Sequence, residues 1–372
     1  MTLPLDGVRI LDLTRLLPGG LMTLMLADLG ADVIKIESPD GGDYARWMPP
    51  LVDGVGAVFS LLNRNKRSVI LDLKAARGQA AFHRLVQSAD VVVESFRPGV
   101  LARLNCEAAT LRDLNPRLIV CSLSGWGQTG PYADLPGHDL NYVGLAGLLG
   151  TMLEPQPLGG QVADIGGAYC AVAAVLAALL QRVRTDEGSI IDLSLFESGL
   201  PFVSIQWMET LYGGGTTLTG RYACYGVYQS ADGQPCALAA LEPKFWHNFC
   251  QAIARPDLIP YHMEADKQPY LIQELRQIFA QKTRAEWLAQ LGNAECCFTA
   301  ITSPAALADD PQIEARAALG RDTKGQPWLA SPLHLGQERV PMTPPPGYGE
   351  HTRQVLAEAG FALDDPLHPD DT

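Results

Sequence analysis

The feature that most constrains the fold is an alternation of short apolar runs with helical segments through the N-terminal half of the chain. Residues 8–13 and 31–37 predict two strands, and residues 21–29 between them predict a helix that ends at Gly30. A strand–helix–strand unit implies parallel strands and a right-handed crossover. The alternation continues with strands predicted over 68–73, 90–96, 117–123 and 189–196, and helices over 75–87, 100–104 and 168–184. The pattern therefore predicts a doubly wound α/β parallel sheet.

The second half of the chain changes character after the glycine-rich residues 212–217, which we interpret as a linker. Beyond it the sequence predicts a hairpin over 225–241, a capping box at Thr283 and Glu286, and helices over 243–254, 270–281 and 304–319. We predict a large Rossmann-like domain of residues 1–215, completed by 321–372, and a small α+β domain of residues 216–320. The proline-rich residues 325–346 are expected to wrap back to the large domain and to lead into a helix over 349–359.

Composition indicates a globular protein. The chain has 372 residues, of which 47% are hydrophobic and 19% charged, and a formal net charge of -13 that disfavours binding to nucleic acid or to anionic membranes. The eight cysteines lack the spacing of a zinc site, and the first residues lack a signal-peptide pattern. We expect a cytoplasmic protein without a metal, with cysteines mostly in the core. The apolar run 168–180 is expected to be a buried helix, too short to span a bilayer.

Neither of two glycine-containing turns forms a complete nucleotide-binding fingerprint. Residues 125–130 fit GxGxxG after a predicted strand, but a loop follows where a dinucleotide site needs a helix. Residues 17–20 lack the fingerprint and are expected to form a tight turn that caps a helix. No GxSxG, HExxH or Walker A sequence occurs, and the first of these absences disfavours a serine hydrolase.

A dense basic cluster occupies residues 63–67, directly before a predicted strand. A charge run of this kind is usually a solvated loop. On an acidic chain, at the edge of a parallel sheet, it could instead bind the phosphates of a nucleotide-like ligand, together with Arg97 and Arg103 after the next strand. The residues alone leave both interpretations open.

Two segments supply a histidine and a carboxylate. His138 follows Gly137, which would let the backbone approach a ligand closely, and Asp139 could orient the imidazole. Asp164 precedes the apolar helix and is either a helix N-cap or a reacting carboxylate, with free amides near residues 166–167 to hold an oxyanion. A histidine and a carboxyl group on opposite sides of one carbon can remove a proton from one face and return it to the other.

Glu242 stands between a predicted strand and a predicted helix of the small domain. One interpretation is a carboxylate that the helix dipole stabilises. The other is a carboxylate that reaches the active site across a domain or subunit boundary.

Several segments resemble the type III CoA-transferase (CaiB/BaiF) family over nearly the whole chain, namely residues 11–14, 27–37, 63–74, 94–100 and 124–131. The family contains CoA-transferases with an aspartate nucleophile and alpha-methylacyl-CoA racemases, which invert C2 of a 2-methylacyl-CoA. Asp164 matches the aspartate position that both branches share. Residues 136–142 and 241–245 resemble racemase segments, so the resemblance favours the racemase branch.

The resemblance implies 1,1-proton transfer through an enolate. His138 and Asp164 would exchange as base and acid, Glu242 would orient or charge-pair His138, and CoA would be part of the substrate, with no separate cofactor. The resemblance also implies an interlocked homodimer whose active site lies between the large domain of one subunit and the small domain of the other. Residues expected to contact CoA, with Arg97 added as a phosphate candidate, are Ile70, Leu71, Asp72, Leu73, Glu94, Ser95, Phe96, Arg97, Arg103, Pro136, Gly137, Asp139, Leu140 and Asn141.

Two positions depart from the racemase pattern. Ser38 stands where family racemases often carry an arginine, so Lys35 or the cluster at 64–67 is expected to supply that CoA contact. Tyr169 replaces a small residue and is expected to reshape the acyl pocket. Two other functions stay open: a CoA-transferase that uses Asp164 covalently, and a non-catalytic CoA-thioester binding or scaffold protein.

Overall fold

The computed structural model describes residues 3–214, 217–321, 325, 327–333 and 342–361, which fall into two compact units. The first unit takes its described residues from Met1–Ala146, Leu158–Leu200 and Ala315–Thr372. The second takes Gly147–Pro157 and the described part of Pro201–Glu314. The second unit thus begins before the glycine-rich residues 212–217, of which 215 and 216 lie outside the described residues.

A six-stranded sheet organises the first unit. Its strands are β1 (Arg9–Asp12), β2 (Asp32–Glu37), β5 (Lys66–Ile70), β6 (Val91–Glu94), β7 (Ile119–Ser124) and β8 (Ile190–Ser194). The order across the sheet is β5-β2-β1-β6-β7-β8, and every neighbouring pair is parallel. This doubly wound order confirms the predicted parallel α/β sheet. Two short antiparallel pairs accompany it, β3 (Leu51–Val52) with β4 (Val55–Gly56) and β12 (Leu319–Arg321) with β13 (Pro327–Leu329).

Helices cover this sheet. They are α1 (Leu16–Asp28), α2 (Ala57–Leu62), α3 (Ala76–Val86), α4 (Val100–Arg103), α5 (Ala108–Leu114), α6 (Asp139–Leu145), α7 (Val162–Thr185), α8 (Leu195–Gly199) and α14 (Thr352–Glu358). Val91, Val92 and Val93 of β6 are all fully buried, as expected for a parallel strand with helices on both faces. Val355 and Leu356 of α14 belong to the same core cluster as Val92, so the C-terminal helix is part of this core.

The first turn of α1 differs from the prediction. Residues 17–20 lie inside α1, so the expectation of a tight turn that caps a helix is wrong. A Cβ on Gly19 would lie 2.2 Å from Cβ of Thr14, which is too close for any side chain. Gly19 is therefore needed for close packing of the helix start against the loop that follows β1.

The C-terminal segment 342–361 returns to the first unit. The Tyr348 hydroxyl donates a hydrogen bond to the Ser38 carbonyl, and the amide of Ile70 donates to Oγ1 of Thr352. These contacts tie the tail to the ends of β2 and β5. Residues 326 and 334–341 of the proline-rich stretch lie outside the described residues.

The second unit contains a three-stranded antiparallel sheet. Its strands are β9 (Tyr225–Gln229), β10 (Pro235–Ala239) and β11 (Phe298–Ala300), and the first two form the predicted hairpin. The helices are α9 (Ser204–Leu211), α10 (Pro243–Ala252), α11 (Gln268–Phe279), α12 (Arg284–Leu291) and α13 (Pro311–Ala315). The predicted capping box at the start of α12 is confirmed, since the Thr283 amide donates to the Glu286 carboxylate at 2.8 Å.

The prediction of one helix over 304–319 is wrong. A 3-10 helix covers Pro304–Asp309, and the α-helix after it spans only α13. Asp310 interrupts the two because its backbone is extended and its carboxylate accepts hydrogen bonds from the amides of Gln312 and Ile313. A residue whose side chain caps the next helix has an extended backbone, so it cannot also continue the previous helix.

Helix α7 is longer than predicted. It begins at Val162 instead of residue 168 and runs for 24 residues, so its length and apolar composition would allow it to cross a membrane. The expectation that this segment is too short to span a bilayer is therefore wrong. Within the first unit, Ala163, Gly167 and Ala171 are buried, and a Cβ on Gly167 would lie 2.4 Å from Cδ2 of Leu195. Its small residues thus pack closely against α8, as in a core helix of a globular protein.

Candidate active site

His138 lies at the start of a short helix, directly before α6. Its backbone amide donates a hydrogen bond to Oδ1 of Asn141 at 3.1 Å, and the Asn141 amide donates back to the His138 carbonyl at 2.8 Å. This reciprocal pair fixes the turn that carries the histidine. The imidazole is left exposed, so it is accessible to a substrate.

Asp164 is the third residue of α7, so the interpretation of Asp164 as the helix N-cap is wrong. Asp139 of α6 acts as the cap instead. Its Oδ1 accepts hydrogen bonds from the amides of Ala163 at 2.7 Å and Asp164 at 3.0 Å. The expected contact of Asp139 with the imidazole is replaced by this capping role. The start of α6, which carries His138, is thereby joined to the start of α7, which carries Asp164.

The carboxyl group of Asp164 is hard to ionise. Burial, and secondly the nearby negative charge of Asp139, raise its pKa from 3.8 to about 7. Near neutral pH a large fraction of the molecules therefore carries a protonated Asp164. A carboxylic acid in this state can donate a proton, and after ionisation it can act as a base.

The amides at the start of α7 are already bonded. Those of Ala163 and Asp164 donate to Asp139, and that of Ile165 donates to the Gln161 carbonyl at 3.0 Å. Residues 166–167 lie in the next turn, where amides bond to carbonyls four residues earlier. The expectation that these amides form an oxyanion site is therefore wrong.

Tyr142 is a buried residue of this site that the sequence did not single out. Its hydroxyl donates to the Gly137 carbonyl at 2.7 Å, and its ring lies edge-on to Trp126 at 4.9 Å between centroids. A Cβ on Gly137 would lie 2.7 Å from the Tyr142 ring, and one on Gly125 would lie 2.3 Å from its hydroxyl. Gly137 is thus required by Tyr142, whereas the sequence suggested that it makes room for a ligand.

An open cleft lies at the carboxyl ends of the first strands of the sheet. Four of the residues expected to contact CoA line it: Leu71, Asp72, Leu73 and Phe96. In open α/β sheets ligands bind at this end of the strands. The cleft is also lined by Leu13, Thr14, Arg15, Lys35, Ile36, Glu37, Ser38, Asp40, Gly42, Asp43, Lys74, Val100 and Leu104.

Other residues expected to contact CoA lie outside the cleft lining. Glu94 is buried and accepts a hydrogen bond from the Phe96 amide at 2.7 Å, so its carboxylate shapes the loop after β6. Ile70 lies on β5, and Ser95 accepts a hydrogen bond from the Arg15 amide. The side chains of Arg97 and Arg103 are exposed, and residues 136–141 lie at the start of α6.

The basic cluster at 63–67 is not a phosphate site. Arg64 pairs with Asp28, and Arg67 pairs with Asp32 and Glu358. Lys66 is fully buried, with its ammonium 3.3 Å from the Asp12 carboxylate. These charges are neutralised inside the protein, so neither the phosphate interpretation nor that of a solvated loop is correct.

Lys35 is also committed to partners. Its side chain is 1% exposed and pairs with Asp43 at 3.0 Å while donating to the Thr14 carbonyl at 2.9 Å. Lys35 therefore supports the loop after β1 and is not available as the expected CoA contact. The cation that the loop does expose to the cleft is Arg15, which makes no ion pair with the described residues. Leu16 beside it has a φ of 58°, a strained conformation that the surrounding structure must hold.

Glu242 belongs to the second unit, where it precedes α10. Its side chain is exposed and accepts no capping hydrogen bond from the helix. The Glu242 carboxylate therefore makes no capping bond, although it stands at the start of α10, where the helix dipole favours a negative charge.

Little in the sequence signals the positions that Asp139, Tyr142 and Arg15 take in the structure. Tyr142 could have been found from its spacing, because it lies four residues after His138 on the same helix start. The role of Asp139 depends on a contact with residues 24 and 25 positions further along the chain. Such a contact has no local pattern.

The doubly wound α/β unit carries a histidine and a carboxyl group of raised pKa at two helix starts that Asp139 joins, and comparisons with known proteins identify the family. The model of CoA-transferase family III matches residues 5–352. The chain belongs to this family, whose members include both CoA-transferases and racemases.

Relatives from both branches are similar to this chain at comparable levels. Human alpha-methylacyl-CoA racemase is 32% identical over 376 residues, covering 97% of this chain and 94% of the racemase. Succinate–glutarate CoA-transferase of Agrobacterium fabrum is 35% identical over 385 residues, covering 95% of each chain. The crystal structure of a CaiB/BaiF family protein from Brucella suis matches with a TM-score of 0.84 and 31% identity, covering 96% of this chain and 100% of that one.

Proposed function

We propose that this protein is a racemase of the alpha-methylacyl-CoA type, which inverts C2 of a 2-methylacyl-CoA. The observation that carries the proposal is the link between the two helix starts. Asp139 follows the exposed His138 in sequence and hydrogen-bonds the amide of Asp164, whose pKa is raised to about 7. This link supports the assignment of a base and a carboxylic acid to one site, which is what proton removal and return at a single carbon require.

The thioester acidifies the α-proton by allowing an enolate to form. In one direction His138 takes this proton, and the protonated Asp164 supplies a proton to the opposite face of the carbon. In the other direction Asp164 takes the proton and His138 returns one. The burial of Asp164 supports this scheme because it keeps the acid form populated near neutral pH.

Glu242 retains its proposed role as the carboxylate that orients or charge-pairs His138 of the other subunit. Its exposure and the absence of a capping bond support this role, since none of the hydrogen bonds or ion pairs among the described residues engages its side chain. In the racemase scheme, Glu242 would stabilise the imidazolium that forms when His138 takes the proton.

The proposal includes an interlocked homodimer in the cytoplasm. Within the second unit, Trp207 and Tyr212 are 61% and 80% exposed, and within the first, Val183 is 82% exposed. Ile205, Met208 and Leu211 on the same helix as Trp207 are exposed as well, and contiguous apolar patches of this kind mark interaction surfaces. All eight cysteines are free and six are buried, which fits a reducing compartment and the expected core role.

The second candidate is a CoA-transferase in which Asp164 forms a covalent acyl intermediate. The similarity to transferases supports it, and Asp164 is partly accessible. This chemistry needs an ionised carboxylate, and a pKa of about 7 leaves both the ionised and the protonated forms of Asp164 populated near neutral pH. The racemase is preferred because the exposed His138 supplies the second proton-transferring group that racemisation needs and acyl transfer does not.

One experiment separates the two candidates. Purified protein is incubated in D₂O with a panel of 2-methylacyl-CoA thioesters, and loss of the α-proton signal is followed by NMR. A parallel sample receives an acceptor carboxylate and hydroxylamine, which cleaves acyl-enzyme anhydrides and thioesters. The racemase predicts α-proton exchange without transfer of CoA. Transfer of CoA to the acceptor, together with an acyl-enzyme that hydroxylamine cleaves, would favour the transferase instead.

A further inference from the structure

We propose that Tyr348, in the C-terminal segment, is a positioning residue for the loop of residues 38–43 and thereby for the binding of CoA. This loop follows β2 and supplies one wall of the open cleft, through Ser38, Asp40, Gly42 and Asp43. The inference deepens the proposed function and rests on it only in taking the bound ligand to be a CoA thioester.

The two ends of the loop are fixed by buried ion pairs. Glu37, just before the loop, pairs with Arg46 at 2.6 Å, and Asp43, at its other end, pairs with Lys35 at 3.0 Å. All four side chains are at most 3% exposed, so these pairs are shielded from solvent. The ends of the loop therefore keep their place without the Tyr348 hydroxyl.

The middle of the loop has little stiffness of its own. Gly41 and Gly42 have φ values of 91° and 70°, in the left-handed region that glycine adopts readily. Glycine also loses more conformational entropy on ordering than any other residue, so this turn needs contacts from outside to stay in one conformation. The ion pair of Asp40 with Lys74 contributes little, because both side chains are exposed to solvent.

Tyr348 supplies the missing contacts. Its hydroxyl donates a hydrogen bond to the Ser38 carbonyl, which also accepts one from the Gly42 amide at 3.1 Å. The bond that closes the turn and the bond that anchors it thus share one acceptor. A Cβ on Gly42 would lie 2.8 Å from Cε2 of Tyr348, so the tyrosine ring lies directly against the turn. Tyr348 lies outside the cleft lining and would therefore act on CoA through the loop.

Tyr348 is itself held by the chain around it. The amide of Gly349 donates to Oγ of Ser68 at 2.9 Å, and this hydroxyl donates in turn to the Glu37 carboxylate at 2.6 Å. A Cβ on Gly349 would lie 2.5 Å from Cδ1 of Ile70, so the segment packs closely against β5. The tyrosine is therefore attached to the sheet and can hold the loop in place.

The place of the loop in the sheet indicates which part of CoA it would contact. In doubly wound sheets a nucleotide lies across the carboxyl ends of the strands, and the segment after the second strand contacts its ribose. Residues 38–43 follow the second strand and contain two aspartates and no cation. Such a loop suits hydrogen bonds to the nucleoside better than attraction of phosphate. Hydrogen bonds weaken steeply when their geometry changes, so the position of the turn decides their strength.

The test compares two variants of the full-length protein. Tyr348→Phe removes the hydroxyl and keeps the ring against the turn. Thr343→Val is the matched control, because it removes a hydroxyl of the same segment that bonds to Oδ1 of Asn65, away from the loop. The dissociation constants of CoA and of adenosine 3′,5′-bisphosphate, its nucleotide end, are measured by isothermal titration calorimetry.

We expect Tyr348→Phe to raise the Kd of both ligands by about three- to tenfold, the effect typical of one lost hydrogen bond. Thr343→Val should leave both values nearly unchanged, and neither variant should change the Tm appreciably. In α-proton exchange, Tyr348→Phe should raise KM for a CoA thioester and leave kcat as it is, which a general loss of structure would not do.

Equal Kd values in Tyr348→Phe and Thr343→Val would overturn the proposal. A weaker binding of CoA without a weaker binding of the bisphosphate would overturn it as well, since the loop would then not hold the nucleotide. The absence of α-proton exchange in the unmodified protein would remove the racemase function, but the two dissociation constants would still decide the role of Tyr348.

Discussion

The backbone amide of Asp164 donates a hydrogen bond to the Asp139 carboxylate across 3.0 Å. Helix α7, which carries Asp164, is therefore anchored on Asp139. Asp139 directly follows His138, the other proposed reacting group. This contact joins two segments separated by 25 residues, and it suggests several measurable consequences.

Stability should depend on pH through Asp164. Its folded-state pKa is raised from 3.8 to about 7, so its contribution to stability is fully present below about pH 4 and is lost as pH rises through 7. The variant Asp164→Asn stays neutral and escapes this loss. We expect the Tm of Asp164→Asn minus that of the unmodified protein to grow between pH 5 and pH 8, measured by differential scanning fluorimetry. A difference that stays constant over this range would contradict the assigned pKa.

His138 should be needed for proton exchange and dispensable for folding. Its imidazole is exposed, so His138→Ala should leave the Tm nearly unchanged. Loss of a general base typically costs about 10² to 10⁴ in rate, and we expect α-proton exchange to fall by this factor. His83→Ala, which alters a half-buried histidine that is hydrogen-bonded to the Asn105 carbonyl outside the proposed site, serves as the control for exchange. Unimpaired exchange in His138→Ala would exclude His138 as the base.

Gly167 should tolerate no side chain. A Cβ there would lie 2.4 Å from Cδ2 of Leu195, whereas one on Gly160 would meet nothing within 4 Å. Overpacking of this kind typically costs about 1–3 kcal/mol. Gly167→Ala should therefore lower the free energy of unfolding in urea by that amount, while Gly160→Ala should leave it nearly unchanged. Equal effects of the two substitutions would show that α7 and α8 pack less closely than described.

Arg15 should contribute to binding of the CoA part of the substrate. It is the exposed cation of the cleft lining that lacks an ion pair among the described residues, while Lys35 pairs with Asp43 and Lys74 with Asp40. We expect Arg15→Ala to raise KM for a CoA thioester by about tenfold, equivalent to about 1.4 kcal/mol, with little change in kcat. Arg184→Ala, at the exposed end of α7, is the control. An equal KM for both variants would place the CoA phosphates elsewhere.

The parallel sheet could be predicted because each of its strands is a separate apolar run between helical segments. Strand β6 illustrates this, since Val91, Val92 and Val93 are consecutive and all buried. Such runs report burial on both faces directly in the sequence. The hairpin of β9 and β10 and the capping box at Thr283 were also predictable, because their signals are local.

The details of the site were less predictable because they depend on partners distant in sequence. Lys66 resembles a surface cation until Asp12, 54 residues earlier, is seen to neutralise it. Asp164 resembles an N-cap until Asp139 is found in that role. The type of each residue was visible in the sequence, but its electrostatic state was not, since that state is fixed by which charges the fold brings together.

The measurement that tests the central claim most directly is solvent exchange at the α-carbon. The protein is incubated in D₂O near pH 7 with single epimers of 2-methylacyl-CoA thioesters, and deuterium incorporation and configuration at C2 are followed by NMR. The racemase account predicts that the α-proton is replaced by deuterium while the other epimer appears, and that both changes are lost in Asp164→Asn. Full retention of the α-proton and of configuration across the panel would contradict it.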